Sequence, residues 1–317
     1  MSNTVDVKSD ASIPAGVRKR PRTGIFSRLE PLSWIGGAIA LILGVVIFPV
    51  GVMFYNATRD IAQSGVDKGS VGLDNFVKVL TFPSFLPILL RTIVWVGVVV
   101  VVTVVLSLAL AQLLNKAFPG RRIVRMIVII PWASSVVMTT MVVYYGLEPY
   151  FGIINTFLVD VGLISTPEGY GWTRNPDTAF AWAIAVAVFV SLPFTTYTIL
   201  AGLTGIPRDV IEAANMDGAG PIRKYFWVIL PQLRGALAVA ILINIINVFN
   251  SLPILKVMTG SIPGYDADTI MTLIFKYIQV QHDVGAASAL SVIAFIIVLA
   301  IVAIYLKLVK PMKDVES

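Results

Sequence analysis

Apolar residues occur in six long runs, separated by polar segments. Each run has about the 20 residues that a helix needs to cross the hydrocarbon core of a bilayer. Because lipid offers the backbone no hydrogen-bond partner, each run is predicted to be an α-helix. The predicted spans are Leu32 to Tyr55, Thr92 to Leu114, Met126 to Leu147, Thr178 to Gly205, Ala236 to Leu255 and Val284 to Leu306. The pattern therefore predicts an all-α, polytopic membrane protein with six transmembrane helices.

The polar segments define the predicted limits of the membrane domain. Residues 1–31 combine Pro, Gly, Ser and charge without apolar periodicity, which predicts a loose N-terminal tail. Residues 32–309 form the predicted six-helix domain, and residues 310–317 form a short C-terminal tail. The first apolar run is longer than a signal-peptide core and follows a polar leader, so it is predicted to be an uncleaved span.

The basic residues predict the orientation of the spans. Seventeen of the 24 Lys and Arg lie in residues 1–31, the second-to-third loop, the fourth-to-fifth loop and the residues after the sixth span. Because basic residues collect in cytoplasmic loops, these segments and both termini are predicted to be cytoplasmic. Topology thus accounts for the net charge of +6, and no nucleic-acid partner is expected.

Composition narrows the possible chemistry. Only 13% of the residues are charged, whereas about 25% is usual in soluble domains. The sequence has no cysteine and a single histidine, His282, which excludes disulfides, cysteine-bound metals and a histidine metal cluster. It also lacks the GxxxxGK[ST] phosphate-binding loop. No cofactor or metal is predicted, and the chain is not expected to be an enzyme.

The six predicted spans contain no Asp, Glu, Lys, Arg or His. Ionisable residues inside a membrane are typical of proton relays, so their absence argues against a proton-driven carrier. A strongly charged cargo would also need a complementary charge, which favours a neutral, polar cargo. A sodium-coupled carrier that uses backbone carbonyls remains an alternative.

Polar residues in the fifth span mark a candidate cargo path. Asn244, Asn247 and Asn250 recur every three residues, with Ser251 beside them, which predicts a polar stripe on one helix face. An amide can both donate to and accept from a sugar hydroxyl. The alternative is that these amides only form hydrogen bonds between helices.

Two prolines mark further candidate positions on the same path. Pro131 in the third span and Pro193 in the fourth each remove a helix hydrogen bond and are predicted to open the local backbone. An aromatic face can pack against the C–H surface of a sugar, although a Trp here could equally pack between helices or lie at the membrane interface. The candidate residues beside the prolines are Trp132, Ser191, Phe194 and Thr195.

The segment between the fourth and fifth spans, residues 205–234, is long and patterned. Pro207 is placed to begin a short helix, and Gly218 is placed to end it in a left-handed cap. A second helix is predicted over Ile222 to Leu230, with Pro231 stopping it. The pattern predicts two short helices joined by a tight turn.

The first of these helices has a small apolar face. Val210, Ile211 and Ala214 share that face, and a surface of this size is predicted to fit the groove of a partner protein. The alternative is an amphipathic hairpin that lies on the membrane surface.

The run EAANMDGAGPIRKYFWVILP, from Glu212 to Pro231, resembles the EAA loop of permease subunits of binding-protein-dependent ABC importers. Val228 stands where the family pattern has Ile, and Gly235 stands where a proline is frequent. In this family the loop docks into a cleft on the ATPase subunit. The resemblance therefore implies an ATPase-coupling role for five residues of the motif: Glu212, Ala213, Ala214, Asp217 and Gly218.

The resemblance extends over most of the chain outside residues 1–31. Residues 72–76, 200–207 and 285–290 look like the sugar-permease branch typified by maltose and glycerol-phosphate transport. Residues 258–263 depart from the usual Thr-Gly-Gly-Pro-like turn, which leaves the shape of the third external loop open.

The resemblance implies a subunit of a bacterial inner-membrane importer for a sugar or related polyol. Its implied partners, besides the lipid bilayer, are a second homologous permease, a pair of ABC ATPase subunits and an extracytoplasmic substrate-binding protein. From the residues alone, a self-sufficient carrier or channel and a non-transport scaffold remain alternatives. Reconstitution separates them, because only the importer needs all of these partners for uptake.

Overall fold

The computed structural model describes three stretches of the chain, residues 35–62, 64–165 and 171–309. They fall into two compact units, whose boundary lies between Val52 and Met53. The predicted tails, residues 1–31 and 310–317, lie outside the described residues, as do the first three residues of the first predicted span. The predicted limits of the membrane domain stay predictions.

Helices make up nearly all of the regular structure in the described stretches, and this confirms the predicted all-α class. The exception is an antiparallel hairpin of two short strands, β1 (Arg59–Ile61) and β2 (Asp67–Ser70). The helices are α1 (Ile35–Ala57), α2 (Asp74–Leu80), α3 (Phe85–Asn115), α4 (Arg121–Ala133), α5 (Val136–Gly146), α6 (Ile153–Asp160), α7 (Pro176–Thr204), α8 (Arg208–Met216), α9 (Pro221–Gln232), α10 (Arg234–Phe249), α11 (Leu252–Thr259), α12 (Ile270–Gln279) and α13 (Val284–Val309).

Four of these helices, α1, α3, α7 and α13, are long and apolar enough to cross a membrane. Two bent pairs also meet the criterion: α4 and α5 meet at 97°, and α9 and α10 meet at 69°. Within the described residues the count is therefore six when each bent pair is taken as one span. The fold is that of a polytopic helical membrane protein.

Two of the predicted spans are not continuous helices. The third predicted span, Met126 to Leu147, breaks at Ser134 and Ser135, whose extended backbone separates α4 from α5. The fifth predicted span, Ala236 to Leu255, breaks after α10 at Asn250 and Ser251. Apolar run length cannot detect such breaks, because the residues on both sides are equally apolar.

The second helix of the 205–234 segment is longer than predicted. It begins at Pro221 and continues through Pro231 to Gln232, so the prediction that Pro231 stops it is wrong. Residues Tyr225–Ile229 are π-helical, and the Leu230 N–H donates to the Tyr225 carbonyl, five residues back. This wider turn separates the proline ring from the carbonyl of the preceding turn.

The main apolar core lies between α3, α7 and α10. α3 and α7 form the most extensive helix pair. Trp95 of α3 is completely buried, its indole N–H donates to the Val248 carbonyl of α10 at 2.8 Å, and its ring lies 5.7 Å from that of Phe180 of α7. One side chain therefore joins α3 to α7 and α10.

The β1–β2 hairpin is held between α2 and α13. Asn75 of α2 donates to the carbonyls of Ala57 at 3.1 Å and Arg59 at 2.9 Å. Gly285 of α13 lies so close that an added Cβ would stand 2.5 Å from the Arg59 oxygen. The Lys78 ammonium of α2 pairs with Asp283 at 2.5 Å, just before α13. Two segments of the family resemblance, residues 72–76 and 285–290, thus meet here.

Candidate functional site

A pocket of about 390 Å³ lies where the two broken spans meet α7. This volume is within the range of small-molecule sites. Six of the eight residues predicted for the cargo path line it: Trp132, Ser191, Phe194, Asn244, Asn247 and Ser251. The sequence prediction and the structure thus select the same place, while the role of these residues in binding stays a prediction.

The pocket contains residues from both sides of each helix break. Trp132 and Val136 flank the α4–α5 break, and Asn247 and Ser251 flank the end of α10. Helix ends leave backbone N–H and C=O groups without intrahelical partners, and neither Ser135 nor Ser251 caps its helix with a side-chain hydrogen bond. Irregular backbone at membrane depth is tolerated where protein buries it or where it lines a cavity.

Asn244 belongs both to the helix packing and to the pocket wall. Only 3% of its surface is exposed, and its amide nitrogen donates to the Thr195 hydroxyl at 2.7 Å and to the Ala240 carbonyl at 2.8 Å. Because a carbonyl can only accept, these bonds fix the amide orientation. The interhelical hydrogen bond predicted as the alternative is therefore present at Asn244, and its amide oxygen is the group left for a ligand.

Thr195 lies behind the pocket wall. It is completely buried, and besides accepting from Asn244 its hydroxyl donates to the Ser191 carbonyl of α7 at 2.9 Å. Thr195 does not line the pocket. Its position supports Asn244 from α7 and gives it no direct contact with a molecule in the pocket.

The pocket combines two kinds of surface. Asn247 is exposed, and Ser251 is partly exposed, so α10 and the residues after it supply the polar groups. Trp132 and Phe194 supply aromatic surface from α4 and α7, and both also line an adjoining apolar pocket of about 530 Å³. α7 runs unbroken through Pro193, so the predicted opening of its backbone there is wrong. A surface of amides and aromatic rings suits a molecule with both hydroxyl and C–H faces.

Asn250 does not share this pocket, and the predicted stripe is wrong at this position. Its amide donates to the Ile246 carbonyl at 2.8 Å, and the residue lines a separate pocket beside Met271 and Ser291. A helix turns about 100° per residue, so a three-residue repeat drifts by about 60° at each step. Two steps carry Asn250 about 120° away from Asn244.

The α8–α9 hairpin has the predicted turn. Gly218 has a φ of +71°, which favours glycine, and Asp217 precedes it as the C-terminal cap of α8. The Ala219 N–H donates to the Ala214 carbonyl at 3.0 Å, and the Gly218 N–H donates to the Asn215 carbonyl at 3.1 Å. These two bonds form a Schellman motif, which ends α8 and reverses the chain.

α8 and the turn after it expose most of the predicted coupling residues. Ala214 is buried, and Val210 and Ile211 are partly buried, so the apolar face predicted for a partner's groove instead packs within the chain. Lys224 of α9 braces the turn by donating to the Asn215 side chain at 2.7 Å. Four of the five predicted coupling residues are exposed: Glu212, Ala213, Asp217 and Gly218.

Neither exposed carboxylate, Glu212 or Asp217, has an ion-pair partner in the described part of the chain. The described part of the chain contains no group of three or more acidic or histidine side chains that could hold a metal ion. The hairpin therefore presents unpaired negative charge.

Membrane-length helices with a pocket at two helix breaks are features of the class of membrane transport proteins. Residues 103–313 match the family described as binding-protein-dependent transport system inner membrane component. The chain belongs to this family: it is a multi-pass inner-membrane permease subunit of an ABC importer. The resemblance of the EAA loop is thereby confirmed.

Similar proteins support this assignment along most of the chain. A probable ABC transporter permease protein of Brucella suis is 36% identical over 282 residues, which cover 89% of this chain and 97% of that protein. The trehalose/maltose transport system permease protein of Thermococcus litoralis is 31% identical over 277 residues, covering 87% and 92%. The fold is similar, with a TM-score of 0.77 and 20% identity, to a crystal structure of a bacterial ABC transporter involved in the import of the acidic polysaccharide alginate, covering 91% and 98%.

Proposed function

We propose that this permease subunit forms part of the path of a sugar or related polyol, and that the 390 Å³ pocket contacts this cargo. The observation that carries the proposal is the convergence of six predicted path residues on one pocket at two helix breaks. The name of the 31% identical trehalose/maltose permease supports the choice of cargo class.

The lining of the pocket favours a neutral cargo. The residues that line it include no Asp, Glu, Lys, Arg or His. A charged sugar would lose its hydration without gaining a fixed counter-charge from this chain. Hydroxyl groups, in contrast, can pair with Asn247, Ser251 and the free oxygen of Asn244.

We further propose that ATP hydrolysis occurs on separate ABC ATPase subunits. A second homologous permease and an extracytoplasmic binding protein would complete the transporter. The exposed Glu212, Ala213, Asp217 and Gly218 support an ATPase contact at the α8–α9 hairpin. This hairpin continues through α9 and the 69° bend into α10, which carries Asn244 and Asn247. Movement of the hairpin is therefore transmitted along one continuous stretch of backbone to the pocket wall.

The orientation belongs to the same proposal. The distribution of Lys and Arg supports a cytoplasmic α8–α9 hairpin and cytoplasmic termini in the bacterial inner membrane. The β1–β2 hairpin and α2 then lie on the side from which a binding protein delivers cargo.

The cargo proposal is tested by comparing two asparagines of α10. Asn247→Ala removes an exposed amide from the pocket, whereas the matched control Asn250→Ala removes one from a different surface. With all partners reconstituted in liposomes, uptake by Asn247→Ala should fall about tenfold, the effect of about 1.4 kcal/mol of lost interaction. Uptake by Asn250→Ala should stay within about twofold of the original.

The same reconstitution also tests the class of transporter. Uptake should require the ATPase, the second permease and the binding protein together. Equal uptake by the two asparagine variants would contradict the proposed pocket, and uptake by this chain alone would contradict the importer mechanism.

The coupling proposal is tested at the hairpin. Glu212→Ala removes an exposed carboxylate, and Gly218→Val places a branched side chain where φ is +71°. Both variants should reach the membrane in normal amounts and should bind the ATPase subunit more weakly, measured by co-purification. If both variants transport normally, the hairpin is not the coupling site.

A further inference from the structure

A second, larger groove of about 710 Å³ lies beside the coupling hairpin and away from the cargo pocket. One wall is the last part of α3, from Val105 to Lys116, and the other wall is α9. The lining is mostly apolar, with Leu108 and Ala109 of α3 facing Phe226 of α9. The groove therefore lies between a membrane span and α9, the second helix of the hairpin.

α9 has the features of a helix that lies in the membrane interface. It meets α10 at 69°, so its axis is strongly inclined to that of α10. Three of its apolar side chains, Ile222, Phe226 and Trp227, are exposed, with Trp227 at 79%. Apolar and Trp side chains on a helix with Arg and Lys are typical of interfacial helices.

The charged groups of the groove are all cationic. Lys116 and Lys224 line it, and no carboxylate does. The Gln112 amide nitrogen, on the turn before Lys116, is buried beside the Tyr225 hydroxyl. A negatively charged ligand would complement both ammonium groups.

We propose that this groove binds an anionic phospholipid of the cytoplasmic leaflet. The phosphate lies between Lys116 and Lys224, and an acyl chain lies along Leu108, Ala109 and Phe226. Charge complementarity together with an apolar groove at the interfacial helix selects this occupant. The leaflet assignment rests on the proposed orientation, whereas the binding chemistry does not depend on the cargo.

The test uses the purified full-length chain in a neutral detergent after removal of bound lipid. Phosphatidylglycerol should raise its unfolding temperature more than phosphatidylcholine or inorganic phosphate does, and native mass spectrometry should detect the retained lipid. Lys116→Gln should weaken phosphatidylglycerol binding by roughly fivefold, and Lys116→Gln with Lys224→Gln should weaken it further. Ala109→Trp, which fills the apolar part, should also abolish retention of the lipid.

Lys307→Gln is the matched control, because Lys307 lies near the end of α13 and does not line the groove. This variant should bind phosphatidylglycerol as the original chain does. Equal stabilisation by phosphatidylcholine or by inorganic phosphate would overturn the proposal, and so would unchanged binding by Lys116→Gln. Loss of the lipid when the second permease assembles would show that a protein covers the groove, which would also overturn it. The lipid test is independent of the cargo test: if the Asn247 experiment contradicted the cargo pocket, the expected lipid binding would be the same.

Discussion

Gly285 is the residue at which α13 comes closest to the backbone of the β1–β2 hairpin. A Cβ at this position would stand 2.5 Å from the Arg59 oxygen and 2.7 Å from the Asn75 amide nitrogen. The same amide nitrogen already donates to two carbonyls. The side chain cannot move away without breaking those bonds, so glycine is required here for space and not for backbone conformation.

Gly285→Ala should therefore lower the free energy of unfolding by about 1–3 kcal/mol, the usual effect of overpacking. Gly97→Ala in α3 is the matched control, because no atom lies within 4 Å of its added Cβ. That control should be neutral or slightly stabilising. The measurement is the thermal unfolding midpoint in detergent, and equal midpoints for the two variants would contradict the close contact.

Asp67 makes the hairpin sensitive to acid. Its pKa is held below the usual value of an aspartate, mainly by the hydrogen bond from Arg59 at 2.8 Å and next by the Gly69 N–H at 2.9 Å. A carboxyl with a lowered pKa stabilises the fold above its unfolded pKa of about 3.9. That stabilisation is lost as the pH falls through the folded pKa.

The expected result is a stability difference between the original chain and Asp67→Asn that depends on pH. The variant should unfold more easily at pH 7. The difference should begin to fall near the unfolded pKa of about 3.9 and should close as the pH falls through the lower folded pKa. Unfolding midpoints measured across this range test the prediction. A difference that is the same at both ends of the range would mean that the charge of Asp67 plays no part.

The positions near prolines and the polar stripe of the fifth span each predicted the cargo pocket correctly at three of four residues. Trp132 and Phe194 were predicted because each lies next to a proline, and both line the pocket. The regular spacing of Asn250 placed it on the same face as Asn244, but the drift of a three-residue repeat puts it elsewhere. The apolar lining residues, such as Val136 and Ile254, carry no signal that distinguishes them from lipid-facing positions.

At the scale of elements, the contact between α7 and the α9–α10 bend fixes the direction of the hairpin. Gly202 of α7 lies against this bend, where an added Cβ would stand 2.7 Å from the Cβ of Ala236 and 3.1 Å from Leu233. Leu233, the residue between α9 and α10, is completely buried. The bend is therefore supported by packing on one side and cannot straighten towards α7.

Gly202→Ala should push the bend away from α7 and lower the free energy of unfolding by about 1–3 kcal/mol. It should also reduce ATP-driven uptake in the reconstituted transporter, because the bend joins the coupling hairpin to α10. Gly205→Ala is the control, since its nearest neighbour would lie at an ordinary 3.4 Å and its backbone is helical. Normal uptake by Gly202→Ala would show that the contact between Gly202 and the bend is not needed for coupling.

Elements were predictable where the apolar pattern is long and uninterrupted. α3, α7 and α13 contain the predicted spans almost entirely, whereas the breaks at Ser134–Ser135 and Asn250–Ser251 were missed. One signal was present: Ser251 followed two residues later by Pro253 is typical of a helix start. The bend angles depend on packing between distant segments, which no local pattern contains.

At the scale of the whole molecule, the predicted coupling surface and the pocket lie on one covalent path. α8, α9 and α10 follow one another, separated only by the tight turn before Pro221 and by Leu233. The direction of transport depends on which side of the membrane each end faces. The sequence predicted that orientation from charge alone.

The absence of cysteine allows a direct test of the orientation. Met216→Cys at the end of α8 and Leu73→Cys before α2 would each introduce one exposed thiol, since these residues are 88% and 68% exposed. In intact cells stripped of the outer membrane, an impermeant maleimide should label only Leu73→Cys. Inverted vesicles should give the opposite pattern, and labelling of both variants from one side would contradict the proposed topology.

The contacts of Asn75 and Lys78 with Gly285 and Asp283 also set an order for biosynthesis. The chain is made from its N-terminus, so the β1–β2 hairpin and α2 leave the ribosome more than 200 residues before their partners. The hairpin therefore has its contacts with α2 but not those with α13 until the last span has been inserted. A ribosome that stalls before residue 283 leaves an early segment open to proteolysis, and completion of α13 closes it.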